Sequence, residues 1–188
     1  NGAEFAKDLS GVQFKIYDEK DPVTDNARFS QIRRLHFFTE FEDVEIWEVV
    51  RISSWKLADE MTQLIREGST DQRFGVLIDG ELELSVKGRV VGTILPGDSF
   101  GESAYMDSVE HLQSVSVVSK TVVRYIEITP SALALASEEC VEHFRTRLVT
   151  TLVRRLSMAE RQAAEHGKEA IKAINQTLSG VELRLVDD

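Results

Sequence analysis

Cysteine is nearly absent from these 188 residues: there is one, Cys140. A single thiol rules out an internal disulfide and fits a reducing compartment, so the cytoplasm is the expected location. Long apolar runs are missing too. Nothing approaches the ~20 consecutive apolar residues of a membrane span, and no secretory signal is visible. Positive charge is in deficit, with 22 Lys and Arg against 32 Asp and Glu, a net −10. Nucleic acids and anionic membranes call for basic surfaces, so neither is an expected partner. The initiating methionine is missing as well, since the chain begins at Asn1, which points to a piece of a longer protein. What remains is ordinary globular composition, 42% hydrophobic and 29% charged, and a length that suits one domain with extensions.

Residues 1–26 read as a polar lead-in or linker, although Val12, Phe14 and Ile16 alternate as in a strand before Asp21-Pro22 breaks the run. From Ala27 the spacing is helical. Phe29, Ile32, Arg33 and Leu35-His36 form a first short helix, and Thr39-Glu40-Phe41-Glu42 caps a second that carries Val44, Trp47, Val50 and Arg51. Its apolar face, with Phe37, Phe38 and Trp47, is expected to pack on a sheet. Seven short strands follow: Ile52–Leu57, Met61–Arg66, Phe74–Ile78, Glu81–Val86, Val90–Leu95, Ser114–Val118 and Val122–Ile128. Asp79-Gly80 and Lys87-Gly88 have the composition of tight hairpin turns. This predicts a mainly β protein, a barrel or jelly roll of about seven to eight antiparallel strands with helices at both ends.

Thr129-Pro130-Ser131 opens a helix and Ser137-Glu138-Glu139 a longer one. The long helix bears the stripe Val141, Phe144, Leu148, Leu152, Leu156, Ala159 and Ala163. That stripe is longer than one barrel end covers, and a homodimer through Val141, Phe144, Leu148, Leu152 and Leu156 is expected. Arg145, Arg147, Arg154, Arg155 and Arg161 lie among acids and read as a solvated surface. Gly167 interrupts the helix and Ser179-Gly180 ends it, so residues 167–188 form an extension and tail behind a domain of residues 27–166.

The chemistry concentrates in Pro96 to Ser119, PGDSFGESAYMDSVEHLQSVSVVS. Gly97 and Gly101 let the backbone bend sharply or approach a bound group. A helical turn begun by Gly101-Glu102-Ser103 directs unpaired N–H groups, through Ala104, at an anion. Glu102 beside them can accept hydrogen bonds from a sugar. Gly97-Asp98-Ser99-Phe100-Gly101 also spells the G-x-S-x-G nucleophile elbow. That motif needs a parallel α/β sheet, and the flanks here are antiparallel in pattern. Cys140 and His143 have a metal-compatible spacing but lack further ligands. They read as a buried thiol and an exposed histidine, and no cofactor or metal is expected.

This stretch resembles the phosphate-binding cassette of cyclic nucleotide-binding domains, as found in catabolite activators and protein-kinase regulatory subunits. Leu35-His36-Phe37-Phe38, Ile65-Arg66-Glu67-Gly68 and Phe74 to Leu82 agree in order. The resemblance implies a regulatory, non-enzymatic module that binds a cyclic nucleotide, with Glu102 on the ribose 2′-hydroxyl. It also implies an attached effector, as in modules fused to bacterial kinases. The family's phosphate-binding arginine is missing: no arginine occurs between Val90 and Val123. Counting back from the strand Val115–Ser119 puts Gln113 at its place and Ser114 after it, whereas counting forward from Glu102 reaches His111. Weak or absent binding of cyclic AMP and cyclic GMP is therefore expected. The alternative is a ligand-free dimerisation or docking scaffold. No helix-turn-helix follows that would make the chain a DNA-binding regulator.

Overall fold

The computed structural model describes residues 16–19, 24–70, 73–105 and 113–166, without the side chains of Tyr17 and of residues 158–166. Among the described residues nine strands and four α-helices follow in the order β1 (Ile16–Asp18), α1 (Asp25–Arg33), α2 (Asp43–Ile52), β2 (Ser54–Ala58), β3 (Gln63–Ile65), β4 (Gly75–Asp79), β5 (Leu82–Val86), β6 (Arg89–Ile94), β7 (Ser99–Phe100), β8 (Ser116–Ser119), β9 (Val123–Glu127), α3 (Pro130–Leu133) and α4 (Glu138–His166). One sheet has the order β1-β2-β9-β4-β7 and the other β3-β8-β5-β6. All their pairings are antiparallel. The expected β-roll with flanking helices is the observed architecture.

Successive strand residues point to opposite faces, and β4 shows what that does here. Leu77 belongs to the interior between the sheets, with Leu64, Ile65, Leu82, Ile94, Phe100, Val117 and Tyr125. Its neighbours Val76 and Ile78 face a second cluster under the helices, with Phe37, Phe38, Ile46, Val49, Phe144 and Leu148. Strand β9 divides likewise: Val123 and Tyr125 face the roll, Ile126 the helices. Burial on both faces is why Val76-Leu77-Ile78 reads as an unbroken apolar run.

The helices start where their caps dictate. Thr24 Oγ1 accepts the Ala27 N–H at 3.3 Å at the head of α1, and Glu42 with Glu45 forms a reciprocal capping box on α2. Thr129 caps α3, with Pro130 in the first turn where its missing N–H costs nothing. Inside α4, Cys140, Phe144 and Leu148 are buried at steps of four. Phe144 meets the rings of Phe37, Phe74 and Tyr105 at centroid distances of 5.5, 5.2 and 5.4 Å.

Several local expectations change. Lys87-Gly88 is the hairpin turn foreseen, with both φ angles positive. Asp79-Gly80 instead turns a corner, because β4 and β5 lie in different sheets. On α2 the buried face is Glu45, Ile46, Val49 and Val50. Val44 faces solvent, and Trp47 is half-buried against Phe29 at 4.6 Å. Within the presumed lead-in, Ile16–Asp18 pairs with β2 and extends its sheet. The stripe on α4 turns inward early: Phe144 and Leu148 lie in the chain's own core and are not free to anchor a dimer, and the half-buried Val141 packs against that core. Leu152 and Leu156 are half-buried, while Val149 and Val153 stand exposed. The extension and tail after His166 fall outside the described residues.

Candidate functional site

The cassette begins where β6 ends. Asp98 folds the Leu95–Asp98 turn back on itself: its N–H donates to Leu95 O at 2.9 Å, and its Oδ2 accepts the Leu95 N–H at 3.1 Å. Gly97 N donates to Leu77 O at 2.8 Å and Leu77 N to Asp98 O at 2.9 Å, which stitches the turn to β4. Strand β7 then pairs with β4 through Gly75 with Phe100 and Val76 with Ser99. At Gly101 φ is +77°, and a Cβ there would lie 2.0 Å from Arg73 O and 3.0 Å from Ile65 Cδ1. Only glycine fits so close a crossing. Past it, Glu102–Tyr105 makes one 3-10 turn. The Ala104 N–H of that turn is already bound to Gly101 O at 3.0 Å, and Tyr105 Oη donates to Ile128 O at 2.9 Å. Burial raises the Tyr105 phenol's pKa, so it stays a donor.

The opposite wall is tied to the same region. Ile65, which touches the Gly101 crossing, pairs through β3 with Val117 of β8. Gln113 N donates to Ser69 O at 2.8 Å and Gly68 N to Gln113 O at 2.7 Å. Glu67 N donates to Ser116 Oγ at 3.0 Å. Gln113 is buried and Ser114 half-buried. His111, the other candidate for the missing cation, lies outside the described residues.

The main surprise is Glu102. A turn carboxylate would ordinarily face solvent, yet Glu102 is 7% exposed. Its Oε1 accepts Ser99 Oγ at 2.6 Å. Arg155 Nη1 of α4 stands 2.8 Å from both Oε1 and Oε2, and Arg155 Nη2 donates to Ser99 O. One residue earlier, Arg154 Nη2 donates to Asp98 Oδ1 at 2.6 Å, and His36 Nε2 lies 3.3 Å from the same oxygen. Burial alone would raise the Asp98 pKa, but the hydrogen bond from Arg154, the Leu95 N–H and the charges of Arg154 and His36 outweigh it and hold it below the ordinary value. Arg147 Nη2 donates to His36 O at 2.8 Å. Three of the arginines read as solvated surface are therefore bound to the cassette or to His36 beside it. Arg145 does face solvent, 4.0 Å from Glu142. Their partners were invisible in a local reading of helix charge. The buried positions Phe144, Leu148 and Thr151, at steps of four and three, bring the same face round to Arg155.

This geometry excludes the nucleophile elbow. Ser99 sits in an antiparallel strand, fully buried, with its hydroxyl committed to Glu102. Cys140 is buried, and His143 Nδ1 lies 2.7 Å from Glu45 Oε1. Among the described residues no group of three or more His, Cys, Asp and Glu gathers as a metal site would. Among them, too, no helix is long and apolar enough to cross a membrane.

The two-sheet roll that carries this cassette has counterparts among known proteins. Residues 59–137 match the family model of the cyclic nucleotide-binding domain. That stretch is a cyclic nucleotide-binding domain by family and by fold. A curated relative, the Pycsar effector protein XpPycTIR of Xanthomonas perforans, is 34% identical over 97 residues, which cover 51% of this chain and 31% of the relative. The chain thus spans about a third of that relative's length. The catabolite activator protein of Thermus thermophilus superposes with a TM-score of 0.58 at 21% identity, over 68% of this chain and 61% of its own. The regulatory subunit of a cAMP-independent protein kinase A from Trypanosoma brucei gives 0.58 at 14% identity, over 82% and 50%. At such identities these two likenesses are of fold alone.

Proposed function

We propose that this chain is the nucleotide-sensing, regulatory part of a bacterial signalling effector, with the sugar of a cyclic nucleotide held at Glu102 and with weak or absent affinity for cyclic AMP and cyclic GMP. The feature that carries the reading is a cassette with its carboxylate in place and no arginine along it, Gln113 and His111 being the residues that the two counts put at the cation's place. Glu102 is fixed and buried behind Gly101, while the stretch from Val90 to Val123 contains no arginine and Gln113 is a buried amide. Losing a charge-assisted hydrogen-bond pair to phosphate costs ~2–3 kcal/mol, a factor of roughly 30 to 150 in affinity. The net charge of −10 supplies no compensating attraction. Likeness to a Pycsar effector supports a signalling role with the output in another part of a longer protein. The scaffold alternative has less behind it, because Phe144 and Leu148 are spent on the core.

The test is calorimetry of the chain against the four 3′,5′-cyclic ribonucleotides and cyclic dinucleotides. Cyclic AMP and cyclic GMP should bind no tighter than micromolar at pH 7.5, and Gln113→Arg, checked for an unchanged fold, should strengthen binding about tenfold or more. Submicromolar affinity of the unaltered chain for either nucleotide would refute the reading.

A further inference from the structure

At the far edge of the first sheet, strand β1 is fastened by charge more than by packing. It pairs with β2 through Ile16 with Ala58, Tyr17 with Leu57 and Asp18 with Lys56. No residue of β1 is a buried member of either hydrophobic cluster, and Ile16 is only partly buried against the roll. Just past the strand, Glu19 N donates to Trp55 O at 3.0 Å. The Glu19 side chain is 4% exposed, and its Oε1 lies 3.3 Å from Arg124 Nη1. Arg124 belongs to β9, so it reaches across β2 to hold a residue that precedes the first helix. Lys56 Nζ adds an exposed contact to Asp18 Oδ1 at 2.5 Å.

This hold is incomplete in a way that favours release. Glu19 Oε2 is buried without a hydrogen-bond partner, and so are Trp55 Nε1 and Arg28 Nε. Arg28 lies over the Trp55 ring, 5.2 Å from its centroid. A buried polar group without a partner opposes docking, because water satisfies it once the segment lifts. Arg124 is not stranded when Glu19 leaves: its Nη2 donates to Gln31 Oε1 at 3.0 Å and lies 3.7 Å from Asp79 Oδ2. We propose that residues 16–19 are a detachable strap over the edge of β2, keyed by Glu19 to Arg124, which opens and re-docks while roll and helices stay folded. Opening removes none of the buried members of the two clusters. It frees the backbone edge of β2, a surface that takes an extended segment by strand addition. The resident occupant of that edge is the chain's own strap.

The experiment is native-state amide hydrogen exchange of the full chain in rising, sub-denaturing urea. The Glu19 amide, bonded to Trp55 O, should exchange through an opening that urea barely accelerates, because little surface is uncovered. Amides of β4 and β9 should exchange with the full urea dependence of unfolding. Arg124→Met keeps the apolar stem and removes the charge. It should speed exchange at Glu19 at least roughly tenfold and leave the urea dependence of the β4 amides unchanged. With Trp47→Phe in the background, Trp55 is the single tryptophan, and adding Arg124→Met should make it more open to acrylamide quenching. Arg145→Ala, on the exposed face of α4, should change neither readout. A Glu19 amide with the urea dependence of β4 would overturn the proposal by showing β1 to be an integral strand. That comparison uses the unaltered chain, so it decides even where Arg124→Met does not fold. Exchange at Glu19 unmoved by Arg124→Met would equally overturn it, as simple fraying of a strand end.

Discussion

Replacing Gly101 by alanine should cost far more than the same change at a turn of equal backbone conformation. Gly101 and Gly88 have nearly the same φ, +77° and +76°. A left-handed conformation costs an L-residue about 1–2 kcal/mol at either place. The surroundings differ: a Cβ at Gly88 meets nothing within 4 Å, whereas at Gly101 it would lie 2.0 Å from the Arg73 carbonyl oxygen. That oxygen is backbone and cannot swing aside. Either β7 lifts from β4 or the Arg73–Gly75 backbone yields, a strain of order 1–3 kcal/mol. Gly101→Ala should therefore lose about 2–5 kcal/mol, a large part of the roughly 5–15 kcal/mol that holds a domain together. Gly88→Ala should lose only about 1–2 kcal/mol. At about 2–4 °C per kcal/mol for a chain of this size, the melting points should separate by roughly 2–12 °C. Urea unfolding of both variants, read as midpoint shifts at constant slope, measures the difference directly. Equal losses would refute the argument, since the close approach would then contribute nothing.

Burial, with Glu48 and Glu45 nearby, pushes the Cys140 thiol up to about 12. The native protein should resist a thiolate-directed reagent at pH 8 and react fully once denatured; rapid labelling of the native state would contradict this. Asp98 has its folded pKa below the ordinary value of about 3.9. Its contribution to stability is therefore present above that value and lost as pH falls through the folded one. Urea midpoints at pH 3 and pH 6 should differ less in Asp98→Asn than in the unaltered chain, and parallel acid losses would count against the Arg154 pair.

Much of this architecture is legible in the sequence, because short alternating strands and turn residues report on local geometry. All seven expected strands exist, displaced at their ends by one or two residues. Strand β7 escapes a sequence reading because a strand of two residues carries no periodicity, and its identity comes from pairing with β4. The hairpin expected at Asp79-Gly80 failed because composition marks a turn without saying which sheet the next strand joins. In the cassette, glycine and glutamate announce themselves by residue type. Arg155 does not: a charged helix residue looks solvated until the fold brings a buried carboxylate to it from 53 residues away.

The alternating side chains of β4 and β9 carry a consequence for how this protein comes apart. Each strand contributes to both hydrophobic clusters, so neither cluster can be dismantled while the other stands. Roll and helices should melt as one cooperative unit. The end of α4 beyond Thr151 stands apart from both clusters and is moored through Arg154 and Arg155, so it should be the first part of the described helix to exchange its amides.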